Sequence, residues 1–241
     1  MGLLISVAGD DPGPGTRAGL QADAEMARRM GLRFLGIVAV ETEQDAQGLR
    51  AVRPRSAEEV SRRLREAMTE GLFTGEFAIK TGALGNAAIV RAVAESLRDW
   101  EHEECLVVDP VRGASRVVEG VPPLLDDEGW QAMQSELFPL ATWLTPNRQE
   151  YGDGSAFEAA RGVLCTGGDA ATADEVVDTR LRPAPARAFR GPRLPGGEQL
   201  HGTGCRLSAA LAAALVRGLQ GDAAIEAARA AVAAWMKEQL A

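Results

Sequence analysis

Three observations predict an α/β fold for this 241-residue chain, with a mostly parallel sheet sandwiched between two helical layers. Short, nearly continuous apolar runs recur along it, as expected of strands buried on both faces. Longer amphipathic segments separate them, and a parallel sheet needs that alternation for its crossovers. Several of the apolar runs end in glycine or polar residues, marking the loops where open α/β sheets bind ligands.

LLISVAG (3–9) reads as the first strand and leads into AGDDPGPG; FLGIVAV (34–40) reads as the second. The segment 57–71 reads as a helix, because Ser56 with Glu59 three positions on forms a capping box and Gly71 suits the C-terminal end. FAIKTG (77–82), CLVVDP (105–110), TWLTPN (142–147) and VLCTGG (163–168) supply four further strands, which end in KTG, DP, TPN and TGG. The stretch 180–199, rich in proline, glycine and arginine, reads as a surface excursion or edge ribbon before the last two helices. RLSAALAAALVRGL, residues 206–219, is a long apolar helix. No repeat, low-complexity tract or linker divides the chain, so residues 1–241 are expected to form one domain.

Composition excludes several classes of function. The net charge is −8 with the arginines spread along the chain, which argues against a nucleic-acid partner. Apolar residues make up 46%, but no apolar run reaches the roughly 18 residues needed to span a bilayer. MGLLISVAGDD lacks a basic start and a cleavage site, so a cytoplasmic protein without a membrane partner is expected. Cys105, Cys165 and Cys205 are far apart and show no CxxC spacing, which indicates neither a zinc site nor a disulfide framework. Cys105 and Cys165, on apolar strands, read as core sulfurs, and His102 in the acidic run EHEE reads as a surface residue.

HGTGC (201–205) stands where a loop of small residues enters the apolar helix. Helix starts carry unsatisfied N–H groups and partial positive charge, and glycines let backbone approach a phosphate. Gly202, Thr203 and Gly204 therefore form a candidate anion hole. Cys205 falls in the first helical turn, a place that favours the thiolate and lowers the thiol pKa below its usual value of about 8.5. An anion hole beside a proton acceptor suits phosphoryl transfer to an alcohol. The same loop also reads as a capped helix with a small buried cysteine. His201 reads as shaping the loop, and Lys80 either approaches the site or is structural.

Taken together, SVAGDD with AGLQAD, EQDAQGL, IKTGALG, VVDPV, LTPNRQE, VLCTGGD and HGTGCRLSAALAAALVRG resemble, in order and over nearly the whole length, the hydroxymethylpyrimidine and phosphomethylpyrimidine kinases of the ribokinase superfamily. The resemblance implies a ribokinase-like three-layer α/β/α sandwich. It also implies ATP-dependent phosphorylation of 4-amino-5-hydroxymethyl-2-methylpyrimidine, and then of its monophosphate, in thiamin biosynthesis. Most superfamily relatives carry Asp where Cys205 stands, so Cys205 takes the place of the catalytic base. Asp23 and Gln44 match positions that hold the aminopyrimidine, and Gly9 brings the first strand's end close to the ring. Asp109 and Glu150 match acidic positions near Mg2+ and the phosphates. Asn147, Thr166 and Gly168 fall on the nucleotide side. A homodimer is implied as well.

Four departures accompany the resemblance. The first loop is two residues longer than usual and contains two prolines, which should stiffen it. Ala83 stands where the family carries a methionine against the substrate ring, leaving a roomier pocket. RGASRVVEG (112–120) replaces a flexible glycine-containing cover, and about 15 residues separate TPN from the sixth strand, too few for two helices. Thr166 replaces a lysine. These departures keep open a vitamin B6 (pyridoxine or pyridoxal) kinase, or a catalytically impaired pyrimidine-binding homologue.

Overall fold

Sheet order and strand direction build the architecture. The computed structural model describes every residue except 12, 14–17, 46–47, 99–104, 115–117 and 169–173. Nine strands form one sheet in the order β3-β2-β1-β4-β5-β6-β7-β8-β9. They are β1 (Leu3–Asp10), β2 (Arg33–Asp45), β3 (Gly48–Pro54), β4 (Phe77–Thr81), β5 (Leu106–Val108), β6 (Trp143–Leu144), β7 (Val163–Cys165), β8 (Glu175–Arg182) and β9 (Arg187–Pro192). The six strands from β2 to β7 pair in parallel, and β3, β8 and β9 join the two edges antiparallel.

Alternation along the central strands sorts side chains to the two faces. Leu3, Ile5 and Val7 of β1 join the core under α2 (Ala57–Thr74), α3 (Ala87–Arg98) and α4 (Asp127–Ala132). Leu4 of β1, Ala78 and Val107 join the opposite core, under α1 (Gly19–Arg29), α6 (Thr203–Val216) and α7 (Gly221–Leu240). α6 is buried almost all round, as a helix of Leu, Ala and Val between sheet and α7 must be. The three-layer α/β/α sandwich expected from the sequence is the fold.

Several boundaries differ from those expected. β2 runs past residue 40 and turns back as β3, with Glu43–Arg53 and Glu41–Arg55 ion pairs across the hairpin. The first helix-cap reading is half right, since Ser56 Oγ accepts from the Glu59 N–H at 3.0 Å. The helix does not end at Gly71; the Phe77 ring packs over that residue, and α2 continues to Thr74 with Gly75 at its C-cap. β5, β6 and β7 are shorter than their apolar runs, because their polar last residues leave the ladder to enter loops. The 180–199 stretch contributes an edge ribbon, β8–β9, whose first strand begins upstream at Glu175. Between Asn147 and β7 there is only one turn of helix, α5 (Arg148–Tyr151), and a 3-10 turn at Ser155–Phe157. Cys105 and Cys165, expected in the core, are part-exposed as residues, and Cys105 packs against the core on the α6 side. Pro12 and Pro14 of the first loop, His102 and part of the 112–120 segment lie outside the described residues.

Candidate active site

Parallel strands place their C-terminal ends side by side, so the residues leaving β1, β4, β5 and β6 meet the start of α6. Strand register shows this directly: the Asp109 N–H donates to the Thr81 carbonyl at 2.9 Å, and the Thr145 N–H to the Val108 carbonyl at 3.0 Å. Asp109 follows Val108 of β5 and points to the α6 side, where Ser208 Oγ donates to its Oδ2 at 3.0 Å. Among the described residues no hydrogen bond engages Asp109 Oδ1.

The loop before α6 is held in a left-handed turn. Gly202 has φ of 73°, which a side-chain-bearing residue rarely adopts, and it is the N-cap of α6. Helix geometry leaves the N–H groups of Thr203, Gly204 and Cys205 without intrahelical partners. The carbonyls behind them are occupied: Arg206 Nη1 donates to the carbonyls of His201 at 3.0 Å and Gly202 at 3.2 Å. Donors therefore face one way and acceptors the other, which is the arrangement of an anion-binding nest.

Cys205 as a residue is part-exposed, but its sulfur is enclosed. The Gly19 backbone N–H, nearby, favours the thiolate. Only glycine fits at position 19, where φ is +53° and an added Cβ would lie 2.1 Å from the Gly9 carbonyl oxygen. Burial pushes the Cys205 thiol up from its ordinary value to about 11; Lys80 pulls against this, and Asp109 and Asp23 reinforce it. The low thiol pKa expected from a helix start is thus overturned, because desolvation outweighs the favourable N–H dipoles and the cation.

Lys80, read from the sequence as either near the site or structural, is at its centre. It is fully buried, and its Nζ lies 3.1 Å from Oδ1 and 2.9 Å from Oδ2 of Asp23. Ser6 Oγ donates to the same Oδ2 at 2.6 Å. Asp23, expected at the pyrimidine edge, is fully buried with both oxygens engaged by residues of the chain itself. Burial raises the Asp23 carboxyl and Lys80 and Ser6 pull against it; the two-oxygen contact identifies the pair as ionic. Burial alone would lower Lys80, but the Asp23 carboxylate foremost, with Asp109, holds it charged. Burial likewise raises Asp109, opposed by Lys80 and Ser208.

Other expected residues fall on either side of this cluster. Gly9 and Ala83 adjoin, an added Cβ on Gly9 lying 3.5 Å from the Ala83 Cβ, and together they form a small-residue wall at the end of β1. Gln44 is half-buried at a bulge in the β2–β3 hairpin, beyond the last residue of β1 paired to β2. The Val118 N–H donates to the Leu49 carbonyl at 3.1 Å, tying the 112–120 segment to that hairpin. Asn147 and Glu150 cap α5 reciprocally, at 2.8 and 2.9 Å, so Glu150 Oε2, expected near the metal, bonds to the Asn147 N–H. Thr166 bridges to Asn147, and the Gly168 carbonyl accepts from Arg193 Nη1 at 3.2 Å. Sequence reasoning passed over Ser208, Arg206, Glu25 and Gly19. The one available signal was charge out of place: a lysine inside an apolar strand and an arginine opening an apolar helix.

No cluster of three or more His, Cys, Asp or Glu suited to a metal exists among the described residues. Asp109, with one oxygen unengaged, fits Mg2+ only of the kind held largely by phosphates and water.

A family-wide sequence profile described as "Phosphomethylpyrimidine kinase" matches residues 11–153 and 155–241. The chain is 32% identical over 232 residues to a hydroxymethylpyrimidine/phosphomethylpyrimidine kinase of Mycobacterium tuberculosis, covering 89% of this chain and 81% of that protein. The solved phosphomethylpyrimidine kinase of Clostridium difficile has a TM-score of 0.75 and 22% identity over 100% of both chains, an agreement of fold. Pyridoxal kinase of Staphylococcus aureus, solved with AMP-PCP and pyridoxal, has a TM-score of 0.78 and 26% identity, covering 97% of this chain and 87% of that one.

Proposed function

Since the chain belongs to the phosphomethylpyrimidine kinase family, we propose that it transfers the γ-phosphoryl group of ATP to the hydroxymethyl oxygen of 4-amino-5-hydroxymethyl-2-methylpyrimidine, and then phosphorylates the monophosphate, as one kinase domain over residues 1–241. In each transfer a new P–O bond forms to the substrate oxygen and the bond between the γ-phosphorus and the β,γ-bridging oxygen breaks, releasing ADP. The observation that supports this reading best is the meeting, at one helix start, of outward N–H donors, an enclosed thiol, a buried ammonium and a carboxylate.

Each group has a role that its geometry suits. The N–H groups of Gly202, Thr203 and Gly204, continuing to Cys205, stabilise charge on the transferring phosphoryl oxygens. Cys205 accepts the hydroxyl proton in its thiolate form, and Lys80 favours that form. Gly9 and Ala83 wall the ring pocket and Gln44 meets its polar edge. Asp23 acts through Lys80, holding the ammonium beside the sulfur. Asn147, Thr166 and Gly168 line the nucleotide side. Mg2+, with Asp109 as the closest carboxylate and Glu150 beyond it, would neutralise the phosphates and orient them. Location in the cytoplasm and assembly as a homodimer complete the proposal; no helix among the described residues is long and apolar enough to cross a membrane.

Ala83 beside Gly9 and the likeness to a pyridoxal-bound kinase favour a second reading, vitamin B6 phosphorylation. Initial rates of ADP release with ATP, Mg2+ and each alcohol in turn separate the two. Faster turnover of the pyrimidine alcohol is expected, and faster turnover of pyridoxine or pyridoxal would replace the first reading by the second.

A further inference from the structure

We propose that Arg206 is the positioning residue of the anion loop, holding the His201 and Gly202 carbonyls inward so that the N–H groups of residues 203–205 face the triphosphate; this rests on the kinase reading above. Its place is unfavourable on general grounds. A cation in the first turn of a helix opposes the helix dipole, and a fully buried guanidinium loses its hydration. An apolar residue would suit the packing of α6 against α1 and α7 better.

The contacts explain why a fork is present instead. Nη1 donates to both loop carbonyls, and Nη2 donates to Glu25 Oε2 of α1 at 2.8 Å. The guanidinium carbon lies 3.8 Å from the centre of the Trp235 ring on α7. The Arg206 N–H itself donates to the Gly202 carbonyl at 3.0 Å. One planar side chain thereby anchors a left-handed turn to two helices, and no single lysine ammonium matches that geometry. The loop lacks a side-chain cap at Gly202, so the clamp supplies the rigidity that a capping side chain would otherwise give. Arg206 does not touch the reacting atoms, and its effect passes through the backbone it holds.

The test compares Arg206→Met, Arg206→Lys and the parent enzyme by steady-state kinetics and by calorimetric titration with AMP-PCP, which keeps the γ-phosphate, and with the pyrimidine alcohol. Arg206→Met is expected to lower kcat/KM for ATP about tenfold or more, by loosening several oxyanion donors together. Affinity for the pyrimidine should stay within about twofold, a split that a general folding defect would not give, and Arg206→Lys should fall between. Parental kcat/KM for ATP in Arg206→Met, or equal loss of pyrimidine and AMP-PCP affinity, overturns the proposal. If Arg206→Met does not fold, Glu25→Ala takes its place, since it unhooks the far end of the fork at a part-exposed partner. A raised KM for ATP with unchanged pyrimidine affinity then supports the clamp, and an unchanged KM overturns it. Should the parent enzyme phosphorylate no pyrimidine, the functional reading fails by itself; weakened AMP-PCP binding in Arg206→Met still supports the clamp, and unaltered AMP-PCP binding still overturns it.

Discussion

At neutral pH Cys205 keeps its proton, because its sulfur is enclosed and two carboxylates lie near it. The thiolate, the form proposed to take the proton, is therefore a minor species. Ionisation grows tenfold per pH unit below the pKa, so kcat should rise from pH 7 towards pH 10 without a plateau until near the thiol's value of about 11. A flat profile over that range would remove Cys205 from the base's role. Cys205→Ser should keep the fold and lose about 10²- to 10⁴-fold in turnover, together with the pH dependence. Lys80 gives a second prediction at this scale. Lys80→Met leaves Asp23 buried with only Ser6, which should destabilise the protein by about 3–5 kcal/mol in urea unfolding. The double variant Lys80→Met/Asp23→Leu should recover most of that stability and remain slow in catalysis. Recovered activity would show that the pair serves folding alone.

At the scale of elements, the loops at the strand ends are positioned by side chains from elements distant in sequence. The turn after β7 is fixed by Asp178 of β8, which is buried and accepts from the Gly167 N–H at 2.8 Å and from Arg229 of α7. Asp178→Ala leaves that buried N–H unpaired, at a cost of about 1–3 kcal/mol. The turn carries Thr166 and Gly168, so the variant should raise KM for ATP while leaving pyrimidine affinity unchanged. Equal losses in both would mean that the turn does not belong to the nucleotide side. α5, by contrast, is short for a local reason. Its Asn147–Glu150 capping box completes one helical turn, and Gly152 then ends it.

Across the whole molecule, the two ends of the sheet are built differently. Only α5 and a 3-10 turn stand between Asn147 and β7, and the β8–β9 ribbon follows at that edge, whereas at the opposite edge Val118 is hydrogen-bonded to the β2–β3 hairpin. In the proposed function, phosphate recognition rests on the α6 start and survives the thin helical cover before β7; recognition of the base does not. ATP should therefore bind with a high KM and with loose discrimination among ATP, GTP and other triphosphates, as initial rates at saturating pyrimidine would reveal. Strict ATP selectivity would show that residues 111–166 rebuild the base contacts. Homodimer assembly is expected in light scattering at micromolar concentration, and a monomer there would refute it.

The six parallel-sheet strands and the HGTGC helix start were legible in the sequence, because burial on both faces writes a continuous apolar run and a helix start writes its own glycines. The resemblance carried by the strand-end motifs placed Gly9, Ala83, Asp109 and Cys205 in one neighbourhood for the same local reason. Partner choice was not legible. Asp23 and Lys80 are 57 positions apart, and nothing local shows that the carboxylate turns to the lysine instead of to a ligand. The thiol of Cys205 followed the same logic: a helix start lowers its pKa, yet burial raises it, with Asp109 and Asp23 adding to the rise and Lys80 of β4 opposing it, and desolvation is the larger effect. The antiparallel β3 hairpin and the continuation of α2 past Gly71 also depended on packing between elements. Local periodicity thus determined which segments form strands and helices and where phosphate can approach. Only the tertiary structure decided which charges neutralise one another, because burial and pairing are properties of surroundings that distant segments create together.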